Sequence, residues 1–325
     1  MRTITRIAML WVLGLLAVSP SLGAEVYPTK PVRVIVPFAP GGSTDFAARA
    51  VTLQLAEQFG TSFVIDNRAG ASGTIGYGIT ARSAPDGYTL GVVESSFAIV
   101  SSLNKSLPFN TARDFTPITL IMRSPAVVVV SLSLKVNTLQ EFVALARANP
   151  GKFNYGSAGV GAQNHLAAEL FKIAAKVDLV HVPFKGGAGE VITAMMSGQV
   201  QMLVGPMSTV LGHVRNGRVR ALAVATDGKR TLALPEVPSM SEAGVSGMTS
   251  YSWVGFAGPA GVPRAIVNKL HAGVVKALAV PTVSKRFITQ GAELVGSTPE
   301  EFSRHIRGEM QRWSKVVKTA AIKPE

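Results

Sequence analysis

Val32-Arg33-Val34-Ile35-Val36, then Pro40-Gly41-Gly42-Ser43-Thr44-Asp45, then a helical pattern from Phe46 to about Phe59, is the stretch on which the fold turns. A short β-branched run reads as a strand, a glycine-rich turn follows, and a helix follows that. The same grammar continues downstream. Phe63-Val64-Ile65-Asp66 is a second strand, Asn67 to Gly73 a turn-rich loop, Ile75 to Arg82 a helix, and Tyr88 to Val93 a third strand. This βαβαβ order argues for a mostly parallel, doubly wound α/β sheet.

A second unit of the same kind begins near Ala126. Val127 to Leu132 is a run apolar but for Ser131, as in a strand buried on both faces. A helix from Leu139 to Ala148, a strand Phe153-Asn154-Tyr155, a glycine-rich loop Gly156 to Gly161 and a helix from Gln163 to about Ala175 follow. Leu179 to Val182, Val200 to Val204 and Val219 to Ala225 are further strands; Lys185 to Gly189 and a helix from Glu190 to Met196 lie between the first two. Tyr251 to Gly258 looks like a return into the first unit's sheet. The C-terminal part is helical, from Pro263 to about Ala279 and again after Thr298-Pro299-Glu300-Glu301, a strong helix start. Phe302, Ile306, Met310, Trp313 and Val317 then share one helix face and read as core.

Composition narrows the class. The chain has 325 residues, no cysteine, 47% hydrophobic residues and a net charge of +13. That apolar fraction excludes disorder. The lack of Cys excludes disulfide scaffolds, thiolate metal sites, cysteine nucleophiles and a lipid-anchored lipoprotein. Residues 1–24 read as a signal peptide: Arg2 and Arg6, an uncharged run from Ile7 to Val18, Pro20, then small residues to Ala24. Without Arg2 and Arg6 the charge is 13 − 2 = +11. Lys and Arg are scattered and not interleaved with aromatics, so no nucleic-acid partner is expected. A general positive field favours acidic ligands.

Catalytic signatures are missing. There is no HExxH, no GxSxG and no phosphate loop, and the five histidines (His165, His181, His213, His271 and His305) lack local metal-ligand spacing. No metal and no cofactor are expected. What stands out is the glycine-rich strand-to-helix junctions at 40–45, 156–163 and 185–190. Unpaired N–H groups in a first helical turn, with the helix dipole behind them, accept a carboxylate without Arg or Lys. Ser43, Thr44 and Ser157 could add hydroxyl donors. Any one such junction could be an ordinary turn. Two in two similar units point to a ligand between them.

The motifs resemble those of the Bug-type extracytoplasmic solute-binding proteins of tripartite tricarboxylate transporters. Val36-Pro37-Phe38-Ala39-Pro40-Gly41-Gly42-Ser43-Thr44-Asp45 is similar to the family's opening motif. Asn67 to Gly73, Pro85 to Leu90, Asp114 to Pro117, Tyr155 to Gly159, His165 to Phe171, His181 to Gly187, Arg220 to Val224, Pro235 to Pro238 and Gly296 to Phe302 continue the match in order.

The resemblance implies a type II periplasmic binding protein: two doubly wound lobes joined by two crossing strands, near 122–126 and 251–255. Lobe 1 would be 25–124 plus 252–325, and lobe 2 would be 125–251. It implies a small organic carboxylate as ligand, held largely by backbone N–H groups and waters, no catalysis, a periplasmic location, a membrane permease as partner and a monomer. The candidate contacts in lobe 1 are Phe38, Ala39, Gly41, Gly42, Ser43, Thr44 and Asp45, with Ser95 after the third strand. Those in lobe 2 are Ser157, Gly161, Ala162, Gln163, His165 and Gly205. Asp45 is expected to order its loop and cap the helix, because its charge would repel a bound carboxylate. Relatives usually carry Ser or Thr at Ala162, and many carry an acid or amide around Gly205-Pro206. Both departures make the second half of the pocket less polar, so a mono- or dicarboxylate with an apolar or aromatic portion is expected. A sensor feeding a signalling partner and an enzyme in the cleft are the alternative readings.

Overall fold

The computed structural model describes residues 27–104, 106–184 and 187–322. The signal-peptide expectation for 1–24 lies outside the described residues, as do Lys185 and Gly186. In chain order the first elements are β1 (Val32–Val36), α1 (Ser43–Phe59), β2 (Phe63–Asn67), α2 (Thr74–Ala81), β3 (Thr89–Glu94), α3 (Ser95–Leu103) and β4 (Phe115–Val130). Then come α4 (Leu139–Ala148), β5 (Asn154–Ser157), α5 (Gln163–Ala175), β6 (Val180–Pro183), α6 (Gly187–Met196), β7 (Met202–Pro206), α7 (Met207–Arg215) and β8 (Arg220–Val224). The last are β9 (Tyr251–Pro259), α8 (Arg264–Leu278), α9 (Pro281–Thr289), β10 (Glu293–Leu294) and α10 (Pro299–Thr319).

Two sheets share one strand. In the first, β2, β1 and β3 are parallel, and β9 runs antiparallel between β3 and the first part of β4. In the second, β6, β5 and β7 are parallel, and β7 and β8 flank the last part of β4. The changeover falls between Pro125, paired with Tyr251 of β9, and Ala126, paired with Pro206 of β7. Ser250 marks the second crossing: its C=O accepts from Ala126 N–H, and its N–H donates to Ala225 C=O. The strand expected at Val127–Leu132 is therefore the end of a longer one, and it stops at Val130, because Ser131 caps a short helical turn that begins at Leu132. Pro117 and Pro125 interrupt the sequence signal, and Pro117 sits at a shift of register in the β4–β9 ladder, where a missing N–H is tolerated.

Burial follows the pattern of a two-faced sheet. Val32, Val34 and Val36 of β1 pack with Ala47, Val51 and Leu55 of α1. Phe97, Phe115, Trp253, Phe302 and Trp313 form the opposite core. Helix α10 starts with the expected capping box between Thr298 and Glu301, and Phe302, Ile306, Trp313 and Val317 are buried along it. Leu166 of α5 is wholly buried in that same core, so the second lobe is fastened to the first along α3 and α10. A full Leu burial contributes about 1.5–3 kcal/mol.

Candidate functional site

Strand direction aims the carboxyl ends of both sheets at the changeover. Glu94, the end of β3, pairs with Val254, which pairs with Met122. Pro206, the end of β7, pairs with Ala126. The loops after β1, β2 and β3 therefore leave toward the changeover, as do those after β5 and β7, and the loops after β2, β3 and β5 line one cavity. This is the position at which open α/β sheets take ligands.

The first wall is the loop from Phe38 to Gly42. Phe38 is half-buried, and Ala39, Gly41, Gly42 and Ser43 are exposed. Gly41 has φ +90°, a left-handed conformation that glycine adopts without strain. Gly42 is the N-cap of α1 and supplies no side-chain cap, so the first amides of the helix face outward uncapped. A Cβ at Gly41 or Gly42 would meet nothing within 4 Å, so a ligand has open access to this backbone.

Asp45 is turned away from that opening. Its Oδ2 accepts from Gly41 N–H at 3.0 Å and Arg49 Nε at 2.8 Å, and its Oδ1 accepts from Asn67 Nδ2 at 3.0 Å. Asn67 Nδ2 also donates to Phe38 C=O. Burial opposes ionisation, yet the bonds from Arg49, Asn67 and Gly41 outweigh it and hold Asp45 at about 2. Asp45 and Asn67 thus pin both ends of the loop. Thr44 is buried beside them.

The second wall is the loop from Ser157 to Ala162. Ser157 is wholly buried; its hydroxyl donates to Gly159 C=O, accepts from Gly159 N–H, and lies 2.6 Å from His181 Nε2. Its hydroxyl shapes the loop and is not turned to open space. His165 Nδ1 accepts from Gly161 N–H at 3.0 Å, and Asn164 Oδ1 accepts from Ala158 N–H at 3.1 Å. The rings of His165 and His181 stack at 4.0 Å, with Tyr155 behind them. Burial, then the neighbouring His181 and Lys172, depresses His165 to about 3, so its ring is neutral at pH 7. Ala162 is the N-cap of α5 and, lacking a hydroxyl, caps nothing. Gln163 Nε2 donates to Ser250 Oγ at 3.0 Å, while its Oε1 is buried without a partner among the described residues. Gly205 is buried near the end of β7 and presents bare backbone there; a Cβ would press on Val210 at 2.9 Å.

Ser95 is also wholly buried, and its Oγ accepts from Trp253 N–H at 3.0 Å, fastening β3 to the crossing strand. Sequence reasoning passed over its neighbours. Glu94 caps α3 by accepting from Ser96 N–H at 2.9 Å, and Tyr77 OH donates to it at 3.2 Å. A cavity of about 210 Å³ opens beside Ser96, lined also by Ser72, Ile99, Leu103, Val160 and Gly161. Val160 belongs to the second wall, so the cavity lies between the lobes. The available signal was an acid closing an otherwise apolar parallel strand.

Fold and geometry define a class: a two-lobe solute-binding protein of the type II periplasmic kind. The chain belongs to the tripartite tricarboxylate transporter receptor family, TctC, whose model matches residues 47–322. It is similar to BugT of Bordetella pertussis, 35% identical over 308 residues that span 94% of this chain and 94% of that protein. It is similar to an R. palustris protein solved with adipate, with TM-score 0.82 and 35% identity over 92% of this chain and 100% of that one. It is also similar to MatC from Rhodopseudomonas palustris with bound malate, with TM-score 0.78 and 32% identity over 90% and 100% of the two chains. This is the family whose motifs the sequence carries.

Proposed function

We propose that this protein is an exported receptor that captures a small organic carboxylate between its lobes and hands it to a membrane permease. The observation that carries the reading is the uncapped start of α1, opening onto unobstructed space where the two sheets' carboxyl ends converge. Backbone N–H groups from Gly42 to Thr44 receive one carboxylate, reinforced by the helix dipole. The loop Ser157 to His165 closes over the ligand from the other side. Residues 25–124 with 252–325 move as one lobe, and 125–251 as the other, about the crossings at Pro125 and Ser250. The adipate and malate of the similar structures support a carboxylate ligand. Ala162 and Gly205 themselves add no hydroxyl, acid or amide to the second wall, which favours a ligand with an apolar portion over one as densely polar as citrate. No covalent step is required of any residue.

Ser43→Pro tests the site. Ser43 is the first helical residue, where proline is tolerated, and Gly42 already has the extended backbone that a following proline demands. The variant folds but loses one donor and places a ring in the anion's path. A thermal-shift screen over malate, adipate, benzoate and citrate identifies a binder for the wild type; at 100 times its Kd a ligand adds about 2.7 kcal/mol. Ser43→Pro abolishes that stabilisation. Unchanged binding removes this loop from the site.

A further inference from the structure

We propose that the permease docks on a groove beside β10 whose two walls belong to different lobes, through a segment that carries carboxylates around an apolar side chain. This rests on the receptor reading above and adds the docking surface and the chemistry of the partner.

The first wall is a turn of lobe 2 that holds an apolar residue out into water. Leu232 is 94% exposed, the most of any large hydrophobic among the described residues. The turn beneath it is braced. Thr231 and Leu234 form an antiparallel bridge, and Thr231 Oγ1 accepts from Leu234 N–H at 3.3 Å. Arg215 donates to Ala233 C=O at 3.2 Å, and Arg230 donates to Pro235 C=O at 3.2 Å while pairing with Glu242 at 3.1 Å. Leu234 is anchored in the core with α6 and α7. The tip is therefore held where it cannot hide its own side chain, and its burial is left for a partner to make.

The second wall is lobe 1. Ile288, near the end of α9 and 55% exposed, lines the same groove of about 450 Å³, with Ala292 and Leu294 beside it. Those two pack into the core with α1 and α8. The apolar surface is thus shared across the groove and is not one stray leucine. The walls approach closely at Gly291, where a Cβ would stand 2.3 Å from Met207 Cγ and 3.3 Å from Ala233 Cβ. Rotation of one lobe against the other changes the width of this groove, so a segment seated in it senses the cargo without touching it.

Charge identifies the occupant. A second hollow continues along α9, lined by Lys285 and Arg286. Of the charged residues lining the two hollows, Glu293 is paired with Arg123 and Arg230 with Glu242. Lys285 and Arg286 are exposed and have no acid within 4.0 Å among the described residues. Apolar tips beside two unmatched cations fit a segment with an apolar side chain and carboxylates. A second copy of this chain on a two-fold axis would bring the same cations against them.

The experiment measures uptake by spheroplasts of a strain lacking the gene, supplied with purified receptor and radiolabelled malate, adipate, benzoate or citrate. The receptor concentration giving half-maximal uptake is compared among wild type, Leu232→Asp, Lys285→Glu and Leu232→Met. Leu232→Asp and Lys285→Glu raise it at least tenfold while calorimetric affinity for the cargo stays within twofold; Leu232→Met leaves it within threefold. A half-maximal concentration unchanged in Leu232→Asp or in Lys285→Glu overturns the inference and leaves the carboxylate site standing. So does a loss of uptake matched by an equal loss of cargo affinity. A wild type that sediments as a dimer, with Leu232→Asp a monomer, gives the groove to a second copy and also overturns it. A wild type that stimulates uptake of none of the four acids removes the receptor reading, and this inference with it.

Discussion

Asp45→Asn isolates one charge in the loop on which the proposed site depends. The side chain keeps its size, but Asn67 now faces an amide where it met an ionised oxygen, and Arg49 loses its carboxylate while keeping its bond to Asn67 Oδ1. In the folded protein Asp45 titrates at about 2, below its ordinary 3.8. At about 1.36 kcal/mol per pH unit that difference corresponds to roughly 2 kcal/mol. Arg49 is half exposed, so solvent screening reduces the expected loss to about 1–2 kcal/mol. The sign follows from linkage: a carboxylate with a depressed pKa stabilises the fold above 3.8, and the contribution disappears as pH falls through 2. Urea unfolding should therefore show the same gap between wild type and variant at pH 7 and pH 5, and roughly half of it at pH 3. The variant should also lose much of the ligand-induced stabilisation, because the bonds from Gly41 N–H and Asn67 to the ionised carboxylate weaken and only the Asn67–Phe38 bond still holds the loop at full strength. An Asp45→Asn protein within 0.3 kcal/mol of wild type at pH 7, or a gap that does not shrink at pH 3, refutes the assignment.

Gly161→Ala combines φ +77° with a Cβ that would collide with Leu103 Cδ1 across the lobe contact. We expect a loss of about 1–3 kcal/mol in thermal or urea unfolding, of which Leu103→Ala in the same chain recovers the collision but not the backbone strain. His165, depressed to about 3 in the fold, stays neutral while the unfolded chain takes a proton near 6.5. Stability attributable to it is complete above pH 6.5 and declines as pH falls towards 3. Between pH 7 and pH 5 that decline is about 2 kcal/mol, and urea unfolding of His165→Gln should show a correspondingly flatter pH profile. Equal slopes for the two proteins would contradict the buried, neutral ring.

The strand–glycine–helix grammar made most of the fold legible, because parallel strands buried on both faces are apolar throughout and their exits need glycine. The β1–α1 junction, the capped start of α10 and the return of β9 could all be read in advance. The full length of β4 could not, because prolines at 117 and 125 and Arg123-Ser124 break the apolar run that marks its second half. That Asp45 orders its loop was inferable from charge repulsion; the helix cap also expected of it is not made, because Gly42 is the N-cap of α1 and Asp45 Oδ2 accepts instead from Gly41 N–H and Arg49. The inward turn of Ser157 and Ser95 was not, since a hydroxyl's partner depends on strands distant in sequence: His181 for one and Trp253 for the other. Glu94 was overlooked for a related reason. An acid after a strand is ordinary in one dimension, and only three dimensions show that it caps α3 and takes the Tyr77 hydroxyl.

Strand β4 is clamped in two sheets, between β9 and β10 at one end and β7 and β8 at the other. Ladder registers on both sides forbid it to slide. Displacement between the lobes must then be taken up as torsion where the clamps meet, beside a proline whose φ is already fixed. Such a member behaves as a torsion bar, converting any event in the cleft into rotation about one axis. Cargoes of different shape would produce the same outward motion, differing only in how far it goes. On the proposed function, a permease reading the molecule from outside would receive an angle rather than a chemical identity, and the cleft could change its cargo without a matching change in the surface that reports it.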